Sequence, residues 1–196
     1  MLRHFRPAIV MMALFTLILG LAYPLAITGI ADVLFGDQAA GSLVRDRAGA
    51  VIGSSLIAQG FARPEYLHPR PSAAGKGWDP MNSGGSNLGP MDKKLIDRVA
   101  TDTAALRAEN RGAVIPADAV TTSGSGLDPD VSPENARMQA PRIAASRGIP
   151  LEVVEALIGS HEQEPLLGFI GQPRINVLAV NRALDARYLV AQPKGR

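Results

Sequence analysis

The sequence predicts an α+β protein: a single N-terminal transmembrane helix followed by one loop-rich extracytoplasmic domain that is helical in its C-terminal half. Three observations support this class. The first is a long uncharged run near the N-terminus, the second is a middle rich in glycine and proline, and the third is helical periodicity that recurs after residue 90. Together they indicate a membrane anchor in series with a globular domain of roughly 160 residues.

The anchor is predicted from residues 7 to 31, a run of 25 residues without a charged side chain. As a helix this run is roughly 37 Å long, which exceeds the ~30 Å hydrocarbon core of a bilayer. Arg3 and Arg6 precede it and the first charges after it are acidic, so the positive-inside rule leaves the N-terminus cytoplasmic. The predicted organisation is a cytoplasmic N-terminus at residues 1–6, a transmembrane anchor at residues 7–35, and an extracytoplasmic domain at residues 36–196.

A cleaved secretory signal is the alternative to a retained anchor, with small residues near Ala39 and Ala40 as its cleavage site. Signal peptides usually have only about 7 to 15 apolar residues, whereas apolar character here persists to Phe35. Within the anchor, Pro24 is expected to kink the helix. Gly20 and Gly29 would allow another helix to approach closely. The alternative is that these glycines and Pro24 have no special role, because glycine and proline are common in membrane helices.

The composition excludes several classes of function. The chain has 20 glycines, 15 prolines and no cysteine, which favours long ordered loops and excludes disulfides and thiolate metal sites. The net charge is only +2 and the basic residues are scattered, so nucleic acid is not an expected partner.

The first elements after the anchor are a hairpin, a long loop and a helix. Apolar pairs at residues 43–44 and 51–52 flank a polar stretch with a glycine, which predicts a hairpin whose second strand extends over residues 54–59. Residues 63–90 lack periodicity and form a long loop, of the kind that often carries function. Apolar residues recur at helical spacing from Met91 to Asn110, which predicts an amphipathic helix.

The C-terminal half contains three more predicted helices. Ser132 followed by Pro133 is typical of a helix start, and the helix should stop by Gly148. Pro141 lies inside this helix and is expected to bend it or split it in two. A short helix follows Pro150, and a last one follows Pro173 with Ile175 on its apolar face.

Two Ser/Gly-rich loops are the strongest candidates for a functional site. Backbone amides at a helix start can form a nest for an anion or phosphate, but neither loop has a complete nucleotide-binding motif. The alternative is a pair of turns with positive φ that pack against a partner or against each other. The candidate residues for contact with a partner or nucleotide are Ser83, Gly84, Gly85, Ser86, Asn87 and Gly89 in the first loop, and Ser123, Gly124, Ser125, Gly126 and Asp128 in the second.

Catalytic and metal sites are not predicted. The serines lie outside a Gly-x-Ser-x-Gly elbow, and the three histidines have no spacing of a base or a ligand set. Trp78, the only tryptophan, is interpreted either as an interface anchor or as a partly buried plug of its loop.

A series of motifs resembles one family over nearly the whole chain, the C subunit of the bacterial Kdp-type potassium-transporting ATPase. One departure is Asp130, where the family pattern leads us to expect His or Asn, and this leaves the role of that side chain open. The motifs are Gly20 to Leu25, Gly41 to Leu43, Gly53 to Ile57, Arg70 to Ala73, Ser83 to Pro90, Ser123 to Pro129, and Pro173 to Leu178.

The resemblance implies a non-catalytic accessory subunit of a high-affinity potassium uptake pump in the bacterial inner membrane, with the domain of residues 36–196 in the periplasm. Its implied partners are a channel-like potassium-translocating subunit, a P-type subunit that hydrolyses ATP, a small membrane peptide and the lipid bilayer. It also implies a chaperone role that raises the ATP affinity of the hydrolysing subunit, with residues 83–90 likened to a nucleotide-contacting signature. The resemblance adds Tyr23 to Gly20, Pro24 and Gly29 as packing residues of the membrane helix.

The predicted topology opposes direct contact with ATP, because an extracytoplasmic loop does not meet cytosolic nucleotide. Any effect on ATP affinity would then be coupled through the membrane subunits. Two other hypotheses remain from the residues alone. One is a stand-alone anchored periplasmic module that binds phosphate or another anion, and the other is an anchored hydrolase.

Overall fold

The computed structural model of the chain describes residues 2–110 and 112–188. The chain divides into two compact units, Met1–Ser54 and Ser55–Arg196. The first contains one apolar helix and a hairpin, and the second is a mixed domain of helices and short strands. This confirms the predicted order of an N-terminal apolar helix followed by a mixed domain; the last part of the predicted domain, residues 189–196, lies outside the described residues.

The apolar helix runs from Phe5 to Leu34 and is 30 residues long, with a mean hydropathy of 2.2 over its most apolar window. By length and composition it is able to cross a membrane. Its parts are α1 (Phe5–Leu17), a π-helical turn (Ile18–Ala22) and α2 (Tyr23–Leu34).

An irregularity was expected at Pro24, and the structure has it as the π turn that precedes this residue. Proline lacks an N–H, and its ring would collide with the carbonyl four residues earlier in a regular α-helix. Here the backbone N–H of Tyr23 reaches back to the carbonyl of Ile18, five residues earlier. The wider turn lets the helix continue through the proline as α2.

The rest of the N-terminal unit confirms the predicted hairpin. After α3 (Gly36–Ala39), strand β1 (Leu43–Arg45) pairs antiparallel with β2 (Val51–Ser54). Asp46 stabilises the turn, because its Oδ1 accepts hydrogen bonds from the N–H groups of Ala48 and Ala50, both at 2.9 Å. The second strand ends at Ser54, so its expected extension over residues 54–59 is wrong.

The C-terminal unit places a three-stranded sheet against three helices. The sheet has the antiparallel order β3-β5-β4, with β3 at Asp130–Val131, β4 at Glu162–Gln163 and β5 at Arg174–Asn176. The helices are α5 (Pro133–Arg147), α6 (Leu151–Gly159) and α7 (Val177–Arg187). The fully buried side chains at the centre of the core are Leu67, Ile143, Val154, Ile158, Ile175, Val180 and Leu184.

Local signals set the ends of α5 as predicted, but Pro141 does not split it. The Ser132 side chain accepts a hydrogen bond from the N–H of Asn135 at 3.1 Å, and Gly148 ends the helix with φ of 65°. Ala136 and Ile143, on either side of the proline, are both completely buried. Packing against one core therefore keeps the two halves in a single helix.

The prediction for Ile175 is wrong, because it lies in strand β5 and not in the last helix. Ile175 pairs with Val131 on one side and with Glu162 on the other. The helix starts only after Asn176, whose side chain accepts a hydrogen bond from the N–H of Ala179 at 3.0 Å. Tertiary pairing overrides the helical periodicity at this position.

Helix α4 (Lys93–Glu109) and a 3-10 turn (Ala117–Ala119) complete the unit. The predicted helix of residues 91–110 is confirmed with its start two residues later, at Lys93, which follows the N-cap Asp92. No residue of α4 is buried, in contrast to α5, in which eight are. Residues 55–92, all described, contain no helix or strand, as expected for the long loop.

Candidate functional site: a junction of three loops

The two Ser/Gly loops contact each other, which is one of the two alternatives left by the sequence. The N–H of Gly84 donates to the carbonyl of Ser125 at 2.8 Å. The hydroxyl of Ser83 donates to the same carbonyl at 3.0 Å. Two segments about 40 residues apart are thereby fixed side by side.

A third segment, residues 70–79 of the long loop, joins them. The Ser72 hydroxyl donates to the carbonyl of Gly126 at 2.6 Å and accepts from the N–H of Trp78 at 2.8 Å. The Arg70 guanidinium pairs with the Asp128 carboxylate at 2.8 Å. We call this cluster, made of residues 70–79, 83–85 and 123–128, the loop junction.

Gly126 makes the junction possible, because its backbone has φ of +67° and no room for a side chain. A Cβ at this position would lie 2.6 Å from the nitrogen of Ala74 and 2.7 Å from the carbonyl oxygen of Gly84. Gly85 is also close, since its Cβ would meet the carbonyl oxygen of Gly124 at 3.0 Å. Glycine is therefore required where the three backbones meet.

Trp78 lies half-buried at the edge of the junction. Its indole Nε1 donates to the carbonyl of Arg70 at 3.2 Å, and its ring packs on Gly60, where a Cβ would come within 3.0 Å of it. These contacts favour the interpretation of Trp78 as a partly buried plug of its loop over its interpretation as an interface anchor.

The helix starts near the two loops already carry acceptors from the chain itself. Asp92 accepts from the N–H of Lys94 at 2.8 Å at the start of α4. Asp118 accepts from the N–H of Ser132 at 2.8 Å at the start of α5. Because these carboxylates place negative charge where an anion would bind, the local electrostatics disfavour a phosphate nest at either helix.

Asp130, the departure from the family pattern, has two partners, both on strand β5. Its carboxylate accepts from the side-chain amide of Asn176 at 3.1 Å and pairs with Arg174 at 3.1 Å. Burial raises the pKa of Asp130, and the nearby Asp128 adds to this, while the bonds to Asn176 and Arg174 oppose it. The side chain at this position joins strands β3 and β5.

The remaining candidates lie outside the loop junction. Ser86 is half-buried and Asn87 is exposed with φ of 52°, beyond the contact formed by Gly84. Among residues 2–110 and 112–188, no group of three or more His, Asp or Glu side chains is placed to hold a metal ion. The packing candidates Gly20, Tyr23, Pro24 and Gly29 belong to the N-terminal unit, along the apolar helix.

Sequence reasoning did not include Arg70 and Ser72 among the site residues, although they supply the side chains that tie the junction together. The signal was present, because both residues fall in one of the motifs that carry the family resemblance. In a loop without periodicity, however, the sequence does not indicate which way a side chain points. The contacts of Arg70 with Asp128 and of Ser72 with Gly126 were therefore not evident.

Comparison with known families matches residues 5–186 to "KdpC: K+-transporting ATPase, c chain". This match covers the apolar helix and nearly all of the domain. The chain belongs to the KdpC family. The resemblance drawn from the motifs is thereby confirmed.

Individual relatives match over all or nearly all of their length. A Caulobacter vibrioides protein described as potassium-transporting ATPase KdpC subunit is 66% identical over 197 residues, which cover 100% of both chains. A protein of the same description from Beijerinckia indica is 56% identical, with 98% of each chain covered. A third, from Rhodopseudomonas palustris, is 53% identical and covers 95% of this chain and 98% of its own.

Proposed function

We propose that this chain is a non-catalytic accessory subunit of a high-affinity, ATP-driven potassium uptake pump. The observation that carries this proposal is the family match over residues 5–186, which includes both the apolar helix and the domain. In this function the chain stabilises the assembled pump and tunes the subunit that hydrolyses ATP. Its partners are a channel-like potassium-translocating subunit, the P-type subunit and a small membrane peptide.

The proposed placement has residues 7–35 across the inner membrane, residues 1–6 in the cytoplasm and residues 36–196 in the periplasm. Arg3 and Arg6 before the apolar helix, and the acidic residues after it, support this orientation. The apolar helix exposes its side chains on all faces, which suits contact with lipid and with helices of the partner subunits. Gly20 and Gly29 offer small surfaces for such helices.

The proposed role of the loop junction is docking. Its internal hydrogen bonds fix the backbone of both Ser/Gly loops, so the exposed side chains of these loops are presented in a defined arrangement. We assign this surface to the outer mouth of the channel-like subunit, facing partner surface or the potassium entry path. ATP enters this proposal only through the complex, as a coupling between the domain and the hydrolysing subunit across the membrane.

The test is to purify the C-terminally tagged chain from its native membrane in mild detergent and to identify the proteins that accompany it. The expected result is co-purification of large membrane subunits with potassium-stimulated ATP hydrolysis. A lone chain with no ATPase activity, from cells that express the pump, would overturn the proposal. Measurable phosphate binding by that lone chain would point instead to a stand-alone anion-binding module.

A further inference from the structure

The π turn leaves one backbone carbonyl unpaired inside the apolar helix. A carbonyl in an α-helix accepts from the N–H four residues later, and one in a π-helix accepts from the N–H five residues later. For Leu19 these residues are Tyr23, whose N–H bonds to Ile18, and Pro24, which has no N–H. In the described helix Phe5–Leu34, the Leu19 carbonyl therefore has neither an α-helical nor a π-helical partner.

This carbonyl lies at the depth where an unpaired polar group is least tolerated. Leu19 is the fifteenth residue of the 30-residue apolar helix, so it stands roughly 20 Å from either end. In the proposed placement this position is the centre of the ~30 Å hydrocarbon core, where no water reaches the backbone. A hydrogen-bond donor is therefore needed from another source.

The side chains of the helix itself do not reach the Leu19 carbonyl. Among residues 7–31, the side chains with an O–H group are those of Thr16, Tyr23 and Thr28, and none has an N–H group. A threonine hydroxyl in a helix bonds to the carbonyl three or four residues earlier, which is not Leu19 for either threonine. Tyr23 is exposed, and its hydroxyl stands at the end of a rigid ring, away from the backbone.

Gly20 leaves this carbonyl accessible to a neighbouring helix. A Cβ at Gly20 would have a methyl group of Thr16 at 3.8 Å and no other neighbour within 4 Å. The absence of a side chain at Gly20 thus opens a gap directly beside the Leu19 carbonyl. Small residues let membrane helices approach closely enough for hydrogen bonds between them.

The donor that fits this site is an uncharged side chain of a different protein. A charged donor is costly to bury at the bilayer centre, and lipid acyl chains contain no donor. In a second, parallel copy of this chain, Thr16 and Tyr23 would be the nearest donors to Leu19, and they would lie about 4.5 to 6 Å away along the helix axis. A hydroxyl or a carboxamide on another subunit meets all of these conditions.

We propose that a serine, threonine, asparagine or glutamine side chain, on a membrane helix of the channel-like subunit, donates a hydrogen bond to the Leu19 carbonyl. This proposal rests on the proposed function, which puts the apolar helix in the membrane and the domain of the same chain on that subunit. Because one carbonyl at one depth meets one donor, the bond fixes both the height and the rotation of the apolar helix beside its partner.

Pro24→Ala tests the proposal, because it restores the missing N–H and lets the helix pair its own carbonyls, which leaves the partner's donor without an acceptor. Pro7→Ala is the matched control, since Pro7 lies in the first turn of α1, where N–H groups are unpaired in any case. We expect Pro24→Ala to reduce co-purification of the channel-like subunit about three- to twentyfold, as for loss of one interhelical hydrogen bond. Equal yields from the two variants would overturn the inference.

An ester in the backbone separates the hydrogen bond from the bend of the helix. Glycolic acid in place of Gly20 turns the bond between Leu19 and Gly20 into an ester, whose carbonyl is a weaker acceptor, while Pro24 is kept. Glycolic acid in place of Gly29 makes the same change at another carbonyl of the helix and is the control. We expect the ester at Gly20 to reduce the yield of the complex more than the ester at Gly29, and equal losses would contradict the proposal.

The outcomes distinguish this inference from the proposed function. If the wild-type chain carries no channel-like subunit, the proposed function fails. If the wild-type chain carries it, and Pro24→Ala and the ester at Gly20 carry equal amounts, only the inference about the Leu19 carbonyl fails.

A photo-crosslinking residue identifies the neighbour of the carbonyl in native membranes. Benzoylphenylalanine in place of Tyr23 puts the probe one turn after Leu19 on the same face of the helix. The expected product joins this chain to the channel-like subunit. An adduct with lipid alone, with a second copy of this chain or with a different subunit would overturn the inference.

Discussion

A substitution at Gly126 tests whether the three backbones of the loop junction approach each other as closely as the structure shows. Gly126→Ala should lower the free energy of unfolding by about 1–3 kcal/mol, since alanine adds both a positive-φ penalty and a Cβ against two backbone groups. Gly124→Ala is the matched control, because a Cβ there has no atom within 4 Å. Urea unfolding followed by circular dichroism measures both, and equal stability of the two variants would contradict the close approach at Gly126.

His68 gives the domain a predicted pH dependence. Burial lowers the pKa of His68 below its ordinary value of 6.5, Arg142 lowers it further, and the bond to the carbonyl of Arg63 and the charge of Glu109 oppose the shift. As the pH falls through 6.5, the unfolded chain binds a proton before the folded one does, so stability decreases until the lowered pKa is reached. His68→Gln should therefore reduce the loss of stability between about pH 7 and pH 5.

The control for this experiment is His161→Gln, a change at the second histidine of the domain. The urea midpoints of the wild type, His68→Gln and His161→Gln are measured at each pH and compared. A pH profile of His68→Gln that coincides with that of the wild type would show that another group causes the dependence.

At the scale of elements, Ser132 tests how α5 begins. Ser132→Ala removes the cap on the N–H of Asn135 and the hydroxyl bond to Asp118 at 2.9 Å. We expect a loss of about 1–2 kcal/mol in the free energy of unfolding. Ser132→Thr keeps the hydroxyl and should recover most of it, so a Thr variant as unstable as the Ala variant would argue against capping.

Elements with local end signals were predictable from the sequence, and those set by distant contacts were not. The Ser-Pro start and the glycine stop of α5 are chemical features of neighbouring residues, and the structure has both where the sequence put them. Strand β5 depends on pairing with β3, more than 40 residues earlier, which no local pattern at Ile175 reports.

The candidate site also has a part that was predictable from local sequence and a part that depends on distant contacts. Both Ser/Gly loops were identified from composition, although among their glycines only Gly126 has a positive φ. Their contact through Gly84 and Ser125 depends on the path of residues 55–92, where no periodicity guides prediction. Arg70 and Ser72 became site residues only once that path was known.

At the scale of the whole molecule, the docking proposal is tested by a combined change in the two loops. Replacement of Ser86, Asn87 and Asp128 by alanine should lower the yield of the assembled pump and the rate of potassium uptake. Asp97→Ala, at an exposed ion pair on α4, is the control and should change neither. Normal complex yield together with unchanged uptake in the triple variant would contradict docking through these loops.

The orientation of the chain is testable because it contains no cysteine. Single cysteines at residue 2 and at the exposed Ala48 give one reactive thiol on each side of the proposed anchor. A membrane-impermeant maleimide should label Ala48→Cys in intact spheroplasts and Leu2→Cys only after the membrane is opened. The reverse pattern would invert the proposed topology.

The packing of Trp78 has a spectroscopic consequence. It is the only tryptophan of the chain, and its half-buried ring lies against Gly60 with its Nε1 bonded to the carbonyl of Arg70. Tryptophan emission from this protein therefore comes from the edge of the loop junction alone. A red shift in emission without a loss of helical ellipticity would signal that the three loops separate while the helical core stays folded.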